Sequence, residues 1–395
     1  MHSAMPMRRQ TGKIATVRVA GEGYQAFIPL PLPPTEPPLE LGADLSRRLA
    51  AAEAALDRLE LASAMVPSLD WFLYGFVRKE AVLSSQIEGT EATLVDLFEL
   101  ESFETGEAQP DLDLEEVCNY LEGLQYARGQ LVAGTGLPVS MRLLNEVHAR
   151  LMRGVRGADK QPGEVRRSQN WIGGTRPGNA FFVPPPPEEL PQLLSDFERF
   201  LHAKDDLHPL LRVGLLHVQF ETIHPYLDGN GRIGRLLVTL LLEHFGLLSQ
   251  PLCYLSLYFK QRRTEYYDRL TAVRIQGDWE GWLRFFFDGV EATAVESADT
   301  ACELFALITR DRQTVLAARR SSLAAMRIFE LLPMHPVVTV AWCMRATGTT
   351  RPTATKAIAT LIECGILRET SGKKRDQTFG YWAYLEHLRQ GTDLP

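Results

Sequence analysis

His224, Asp228, Arg232 and Arg235 fall within one short run, Ile223–Arg235, which reads Ile-His-Pro-Tyr-Leu-Asp-Gly-Asn-Gly-Arg-Ile-Gly-Arg. Each residue type there brings a definite chemistry. An imidazole takes a proton from a hydroxyl near neutral pH. A carboxylate is a hard oxygen ligand suited to a magnesium ion that bridges phosphates. Gly229-Asn230-Gly231 is placed to open a helix, whose first backbone N–H groups and dipole favour an anion. Arg232 and Arg235 are three apart in that first turn and can reach the same anion. Together they describe a cradle for a triphosphate with a base beside it.

Two helices must hold this loop. Upstream, Val213, Leu216, Phe220 and Ile223 recur at helical spacing, and Pro225 ends the helix by removing a donor and restricting the residue before it. Downstream, Ile233, Leu236, Leu237, Leu240 and Leu241 repeat the period. Other readings of these letters are weaker. Gly229–Gly234 also fits the dinucleotide pattern G-x-G-x-x-G, but that pattern needs a preceding strand and a helix precedes it here. His217, Glu221 and His224 have the spacing of metal ligands, yet a hydrogen-bonded core histidine is the better expectation for His217. A purely packing loop would leave an aspartate and two arginines crowding one turn without purpose.

The run from His224 to Arg235 resembles the signature of the Fic family, His-Pro-Phe-x-Asp/Glu-Gly-Asn-Gly-Arg-x-x-Arg, with Tyr226 in place of the phenylalanine. The resemblance implies transfer of AMP from ATP to a hydroxyl side chain of a protein. It assigns His224 as general base and Asp228 as the magnesium ligand. Pro225, Tyr226, Leu227, Asp228, Gly229, Asn230, Gly231, Arg232 and Arg235 would bind ATP and its phosphates, with Arg235 on the γ-phosphate. Gly231 stands where a phosphorylating subgroup has lysine, which argues for AMP as the transferred group. Upstream, Ser84-Ser85-Gln86-Ile87-Glu88-Gly89 is similar to the family's inhibitory motif, Ser/Thr-x-x-x-Glu-Gly/Asn. By that likeness Ser84, Glu88 and Gly89 form a brake in which the Glu88 carboxylate pairs with Arg235 and takes the place of the γ-phosphate. Two short β-prone runs around Pro177-Gly178-Asn179 suggest a hairpin. It resembles the Fic flap (168–184), with Ile172, Gly173 and Gly174 facing the target as an added strand. In the aromatic stretch Leu252–Arg269, the resemblance points to Tyr258, Gln261 and Tyr266 as nucleoside contacts.

The wider composition fits a mainly α protein built on a Fic-type helical core. With 395 residues, 45% hydrophobic and 23% charged, the chain can bury two or three cores. A net charge of −7 gives no general attraction to nucleic acid or anionic membrane. Five scattered cysteines without C-x-x-C spacing read as reduced, no apolar run reaches membrane-spanning length, and Met1–Lys13 lacks the apolar segment of a signal peptide. A cytoplasmic protein is expected. The expected order is an irregular or edge-strand segment over 1–27 and an N-terminal helical region over 28–110. A Fic core over 111–300, a connecting helix over 301–320 and a winged helix over 321–395 complete it. Six prolines between Pro29 and Pro38 mark an extended strap.

In the last part, helices at Leu323–Leu332, Val338–Ala346 and Pro352–Cys364 and strands at Ile366–Glu369 and Thr378–Tyr384 give a winged helix-turn-helix pattern. There Arg351, Thr353 and Lys356 open the presumed recognition helix and Lys373, Lys374 and Arg375 tip the wing, so DNA contact through phosphates is one option and protein docking another. The leading expectation is a self-inhibited, Mg2+- and ATP-dependent protein adenylyltransferase acting on a protein substrate and on itself, paired as a homodimer by resemblance. Removal of AMP by the same site, with Glu88 aligning a water, is the alternative enzyme reading. A nucleotide-responsive DNA-binding regulator is the non-enzymatic one.

Overall fold

The structure is a computed structural model that describes residues 9–19, 22–65, 69–103, 110–132, 136–372 and 376–394. Two strands, β1 (Gly12–Val19) and β2 (Glu22–Pro29), precede the helices α1 (Ala43–Met65), α2 (Leu69–Ile87), α3 (Leu94–Glu101), α4 (Leu112–Val132) and α5 (Met141–Leu151). Next come α6 (Leu190–Leu201), α7 (Pro209–Ile223), α8 (Asn230–His244), α9 (Ser256–Gln261), α10 (Arg263–Gln276) and α11 (Trp279–Ala317). The chain ends in α12 (Leu323–Leu331), β3 (Val337–Thr339), α13 (Val340–Thr347), α14 (Arg351–Glu363), β4 (Leu367–Glu369), β5 (Thr378–Tyr381) and α15 (Trp382–Leu388). It is mainly α, as the sequence predicts.

The chain forms two compact units, each discontinuous in sequence. One gathers residues 1–57, 119–249 and 258–292, and the other 58–118, 250–257 and 293–395. In the first, α7 is buried along its length from Leu210 to Ile223, and α8 from Ile233 to Leu242. They cross closely because Gly234 presents no side chain: a Cβ there would stand 2.2 Å from Glu221 Oε1. Under them lies an aromatic cluster of Phe259, Tyr266, Trp282 and Phe285, with Phe259 and Tyr266 stacked at 4.5 Å and Trp282 Nε1 donating to Gly214 O at 2.9 Å. Apolar burial of this kind is what fixes the helices that carry the loop.

Several local expectations change. The segment over 1–27 is expected to be irregular or an edge strand, but β1 and β2 pair antiparallel in full register from Gly12↔Pro29 to Val19↔Glu22. The strap after them is gripped by Arg9, whose guanidinium donates to Pro37 O, Pro38 O and both oxygens of Glu280. The connecting helix expected over 301–320 is the end of one continuous helix, α11, because no glycine or proline interrupts residues 290–300. In the second unit, Val337–Thr339 is a strand, not the start of a helix. Its β-branched residues pair with Phe379 and its neighbours, giving a three-stranded sheet in the order β3-β5-β4. The strand expected to run to Tyr384 stops at Tyr381, where α15 begins.

Candidate active site

Helix α7 ends at Ile223, and His224 turns the chain out of it with φ 51 and ψ 62, its N–H still donating to Phe220 O. Left-handed backbone at a residue with a side chain costs about 1–2 kcal/mol and persists only where the surroundings impose it. The imposition is visible. Asn230 closes the loop by accepting from Tyr226 N and donating to Tyr226 O, both at 2.8 Å. Tyr226 is fully buried, stacked on His148 at 3.9 Å, with its hydroxyl donating to Asn145 Oδ1. Tyr226 and the Asn230 side chain therefore build the loop from within. Any contact of Asn230 with a phosphate falls to its backbone N–H, at the start of α8.

The chemistry-bearing groups follow from this frame. His224 Nδ1 lies 3.3 Å from Glu221 O. A carbonyl only accepts, so Nδ1 carries the hydrogen and the ring's lone pair is on Nε2, the tautomer of a base. Gly229, with φ 74, caps α8 and turns its first amides toward the loop. Arg232 and Arg235 are both buried in that first turn, and Arg232 Nη2 approaches Met152 Sδ at 3.6 Å. Buried guanidiniums at a helix N-terminus favour a polyanion strongly. Pro225 is buried and Leu227 half-buried, serving the loop's packing.

Asp228 is exposed, and its Oδ1 accepts from Gly229 N–H. Its Oδ2 faces Gly157, where a Cβ would come within 2.6 Å. A cradle kept open by a glycine, with one carboxylate oxygen still to be used, fits a magnesium ion whose other ligands are phosphates and water. Among the described residues no cluster of three or more His, Cys, Asp or Glu forms a cage for a metal by itself.

Behind the loop lie groups that the sequence reading gave no role. His148 bridges Gly163 N–H, which its Nδ1 accepts at 2.8 Å, and Asp228 O, to which Nε2 donates at 3.0 Å. Burial, aided by the Arg232 charge, pushes its pKa down to about 4, so it is neutral here. Arg166 and Asn170 donate to the carbonyls of the His224 loop. The sequence signal for His148 was only a histidine on the apolar face of a helix. For Arg166 and Asn170 there was none beyond their place before the flap.

The expected flap is looser than a hairpin of two strands. Ile172 and Phe182 make a single antiparallel bridge, and Pro177–Asn179 is one tight helical turn. Ile172 spends its N–H on Phe182 O and its carbonyl on Phe181 and Phe182. Gly173 and Gly174 are exposed and left-handed at φ 69 and 68. The return arm is backed by the N-terminal hairpin: Phe27 N donates to Val183 O at 2.9 Å, and Tyr24, Ala26 and Val183 pack together.

Of the nucleoside candidates, Tyr258 is buried under the Arg262 guanidinium and against Phe285, while Gln261 is exposed. Tyr266 is a core residue and not a nucleoside contact: it is 1% exposed and its hydroxyl donates to His217 Nε2 at 2.9 Å. His217 also donates from Nδ1 to Gly234 O, so it is the satisfied core histidine that the sequence suggests. In the second unit, Ser84 is buried on α2 and Glu88 is exposed just past its end, where Gly89 adopts φ 97. Arg351, Thr353 and Lys356 are exposed at the start of α14. Lys373, Lys374 and Arg375 lie outside the described residues.

Residues 138–242 match the Fic/DOC family model, and residues 46–128 match the model of the Fic/DOC family N-terminal region. Over those residues the chain carries a Fic domain and the N-terminal region that goes with it. Over 172 residues, 43% of this chain, it is 33% identical to protein adenylyltransferase Fic of Drosophila erecta, and over 157 residues, 39%, it is 34% identical to that of Culex quinquefasciatus. These matches span 31% and 28% of the two relatives, so the chain covers less than a third of their length. A Fic family protein from Desulfovibrio desulfuricans G20 has the same fold at TM-score 0.54 and 19% identity, covering 87% of this chain and 97% of its own. A Fic domain containing signaling protein from Bacteroides thetaiotaomicron is similar at TM-score 0.50 and 20% identity, covering 65% and 96%.

Proposed function

We propose that this chain is a self-inhibited protein adenylyltransferase, moving AMP from ATP to a serine, threonine or tyrosine hydroxyl of a protein, itself included. The observation that carries the reading is the place of His224: its Nδ1 lies 3.3 Å from Glu221 O, beside a helix N-terminus that holds two buried arginines. In the step, the target oxygen bonds to the α-phosphorus while its proton passes to His224 Nε2. The bond from the α-phosphorus to the bridging oxygen breaks, and its electron pair leaves with diphosphate. The first amides of α8, Arg232 and Arg235 face the charge that develops on the leaving group. Asp228 would hold Mg2+, which when bound supplies further neutralisation of the phosphates. Glu88, paired with Arg235 as the family likeness suggests, would displace the γ-phosphate and hold ATP in an unproductive pose.

The test is intact-mass spectrometry of the wild type, Glu88→Gly and Glu88→Gly/His224→Ala after incubation with ATP, with and without magnesium. The expected result is a gain of AMP in the single mutant alone, abolished by chelation. No gain in any of them, together with loss of AMP from a pre-modified substrate, would assign the site to AMP removal instead.

The second unit supports a further partner. We read its stretch from α12 to β5, ordered helix–strand–helix–helix–strand–strand with the β3-β5-β4 sheet, as a winged helix. Arg351, Thr353 and Lys356 face outward from α14, so DNA is the partner proposed for it. Arg351→Ala/Lys356→Ala should flatten the salt dependence of DNA binding in a gel shift by about two phosphate contacts. Absence of any shift at low salt removes the reading.

A further inference from the structure

Arg166 is 2% exposed, and its guanidinium donates to four backbone carbonyls. Nε donates to His224 O at 3.0 Å, and Nη2 to Pro185 O at 2.6 Å and, at 3.5 Å, to Ile223 O. Nη1 donates to Ser168 O at 3.3 Å, and the backbone N–H of Arg166 reaches Pro225 O at 2.9 Å. Asn170 adds Nδ2, which donates to His224 O at 3.3 Å and Tyr226 O at 2.8 Å. His224 O thus accepts from both side chains.

These acceptors belong to three pieces of chain: the outgoing base of the flap, its return arm at Pro185, and the loop that carries the imidazole. Ile223 and His224 also close α7, where the carbonyl ends of the helix concentrate partial negative charge and attract a cation. Burial lowers the Arg166 pKa to about 10, which still leaves it charged at neutral pH. A planar fork with fixed N–H directions can hold three segments at set distances; an ammonium of the same charge cannot.

We propose that Arg166, seconded by Asn170, is the positioning residue that sets the His224 imidazole against the flap, so that one guanidinium fixes the distance between base and target hydroxyl. The inference rests on the adenylyl-transfer reading for its kinetic readout only.

The test uses the full chain in the Glu88→Gly background, with Arg166→Lys and Asn170→Ala. The expected result for Arg166→Lys is a kcat for self-modification lower by about 10- to 100-fold, as a misplacement near 1 Å would cause. KM for ATP should stay within about threefold, because the arginines of α8 are untouched. Asn170→Ala removes one of the two donors to His224 O and should lower kcat in the same direction by less; if the lysine variant does not fold, it carries the test. A parent-like kcat in a folded variant, or a fall in ATP affinity that matches the fall in rate, overturns the proposal. If the parent transfers no AMP, the function reading fails but this one is still read by NMR of the histidine side chains. The His224 ring signal should shift or broaden in both variants while that of His217 stays put. An unchanged His224 signal overturns the proposal.

Discussion

In the proposed transfer, a histidine in left-handed backbone with Nδ1 turned to Glu221 O would meet the target hydroxyl through Nε2, its direction fixed before substrate arrives. His224→Ala should lower transfer by at least about 100-fold. Titration calorimetry should show ATP affinity within about threefold of the parent, since no phosphate ligand is lost. Tyr226 invites a second prediction. Its hydroxyl donates to Asn145 Oδ1 from a fully buried ring. Tyr226→Phe leaves that acceptor short of a donor and should cost about 1–2 kcal/mol in urea unfolding, although phenylalanine is the residue of the family signature. His224, Asp228, Gly229 and the two arginines were legible because their spacing is local. Arg166, Asn170 and His148 were not. Their contacts with the His224 loop are to carbonyls of residues 54 to 80 positions away, and no side-chain type announces a backbone partner.

Elements were readable where burial is one-sided and continuous, and less so elsewhere. The sequence places the end of α7 where it is observed, because Pro225 stops the helix that Val213, Leu216, Phe220 and Ile223 define. The N-terminal hairpin escaped because Ile14 is exposed and Ala15 and Val17 are only half-buried on β1, so no apolar alternation marks the strand. β3 escaped because three residues become a strand only when β5, some forty residues later, pairs with them. Two glycines carry predictions at this scale. Gly234→Ala would drive a methyl against Glu221 where α7 and α8 cross, and should lower stability by about 1–3 kcal/mol in thermal or urea unfolding. Gly157→Ala combines a strained φ of 82 with a Cβ 2.6 Å from Asp228 Oδ2. It should weaken magnesium-supported ATP binding while ATP binding without magnesium changes little, as calorimetry with and without EDTA would read.

Over the whole molecule, two buried histidines tie stability to pH. His148 and His217 have pKa values pushed down to about 4 and about 3, chiefly by burial. Both are neutral in the folded chain, while the unfolded chain takes up protons near pH 6.5. The unfolded state therefore binds more protons as the pH falls below 6.5, and stability is lost from there down towards pH 4. His148 alone accounts for about 3 kcal/mol across that window. Denaturation midpoints between pH 7.5 and 4.5 should fall steeply for the wild type and less so for His148→Gln.

Both compact units are assembled from three separate stretches of chain, and these stretches alternate. During synthesis, the first unit lacks its last piece until Ala292 has been made, although its first piece is made well before. Arg58–Cys118, which belongs to the other unit, must wait still longer for partners from Thr293 onward. Such long-range closure is slow and leaves apolar surface exposed meanwhile. No single cut releases either unit whole, so Glu88 and the loop bearing His224 are made, folded and inherited as one indivisible length of chain.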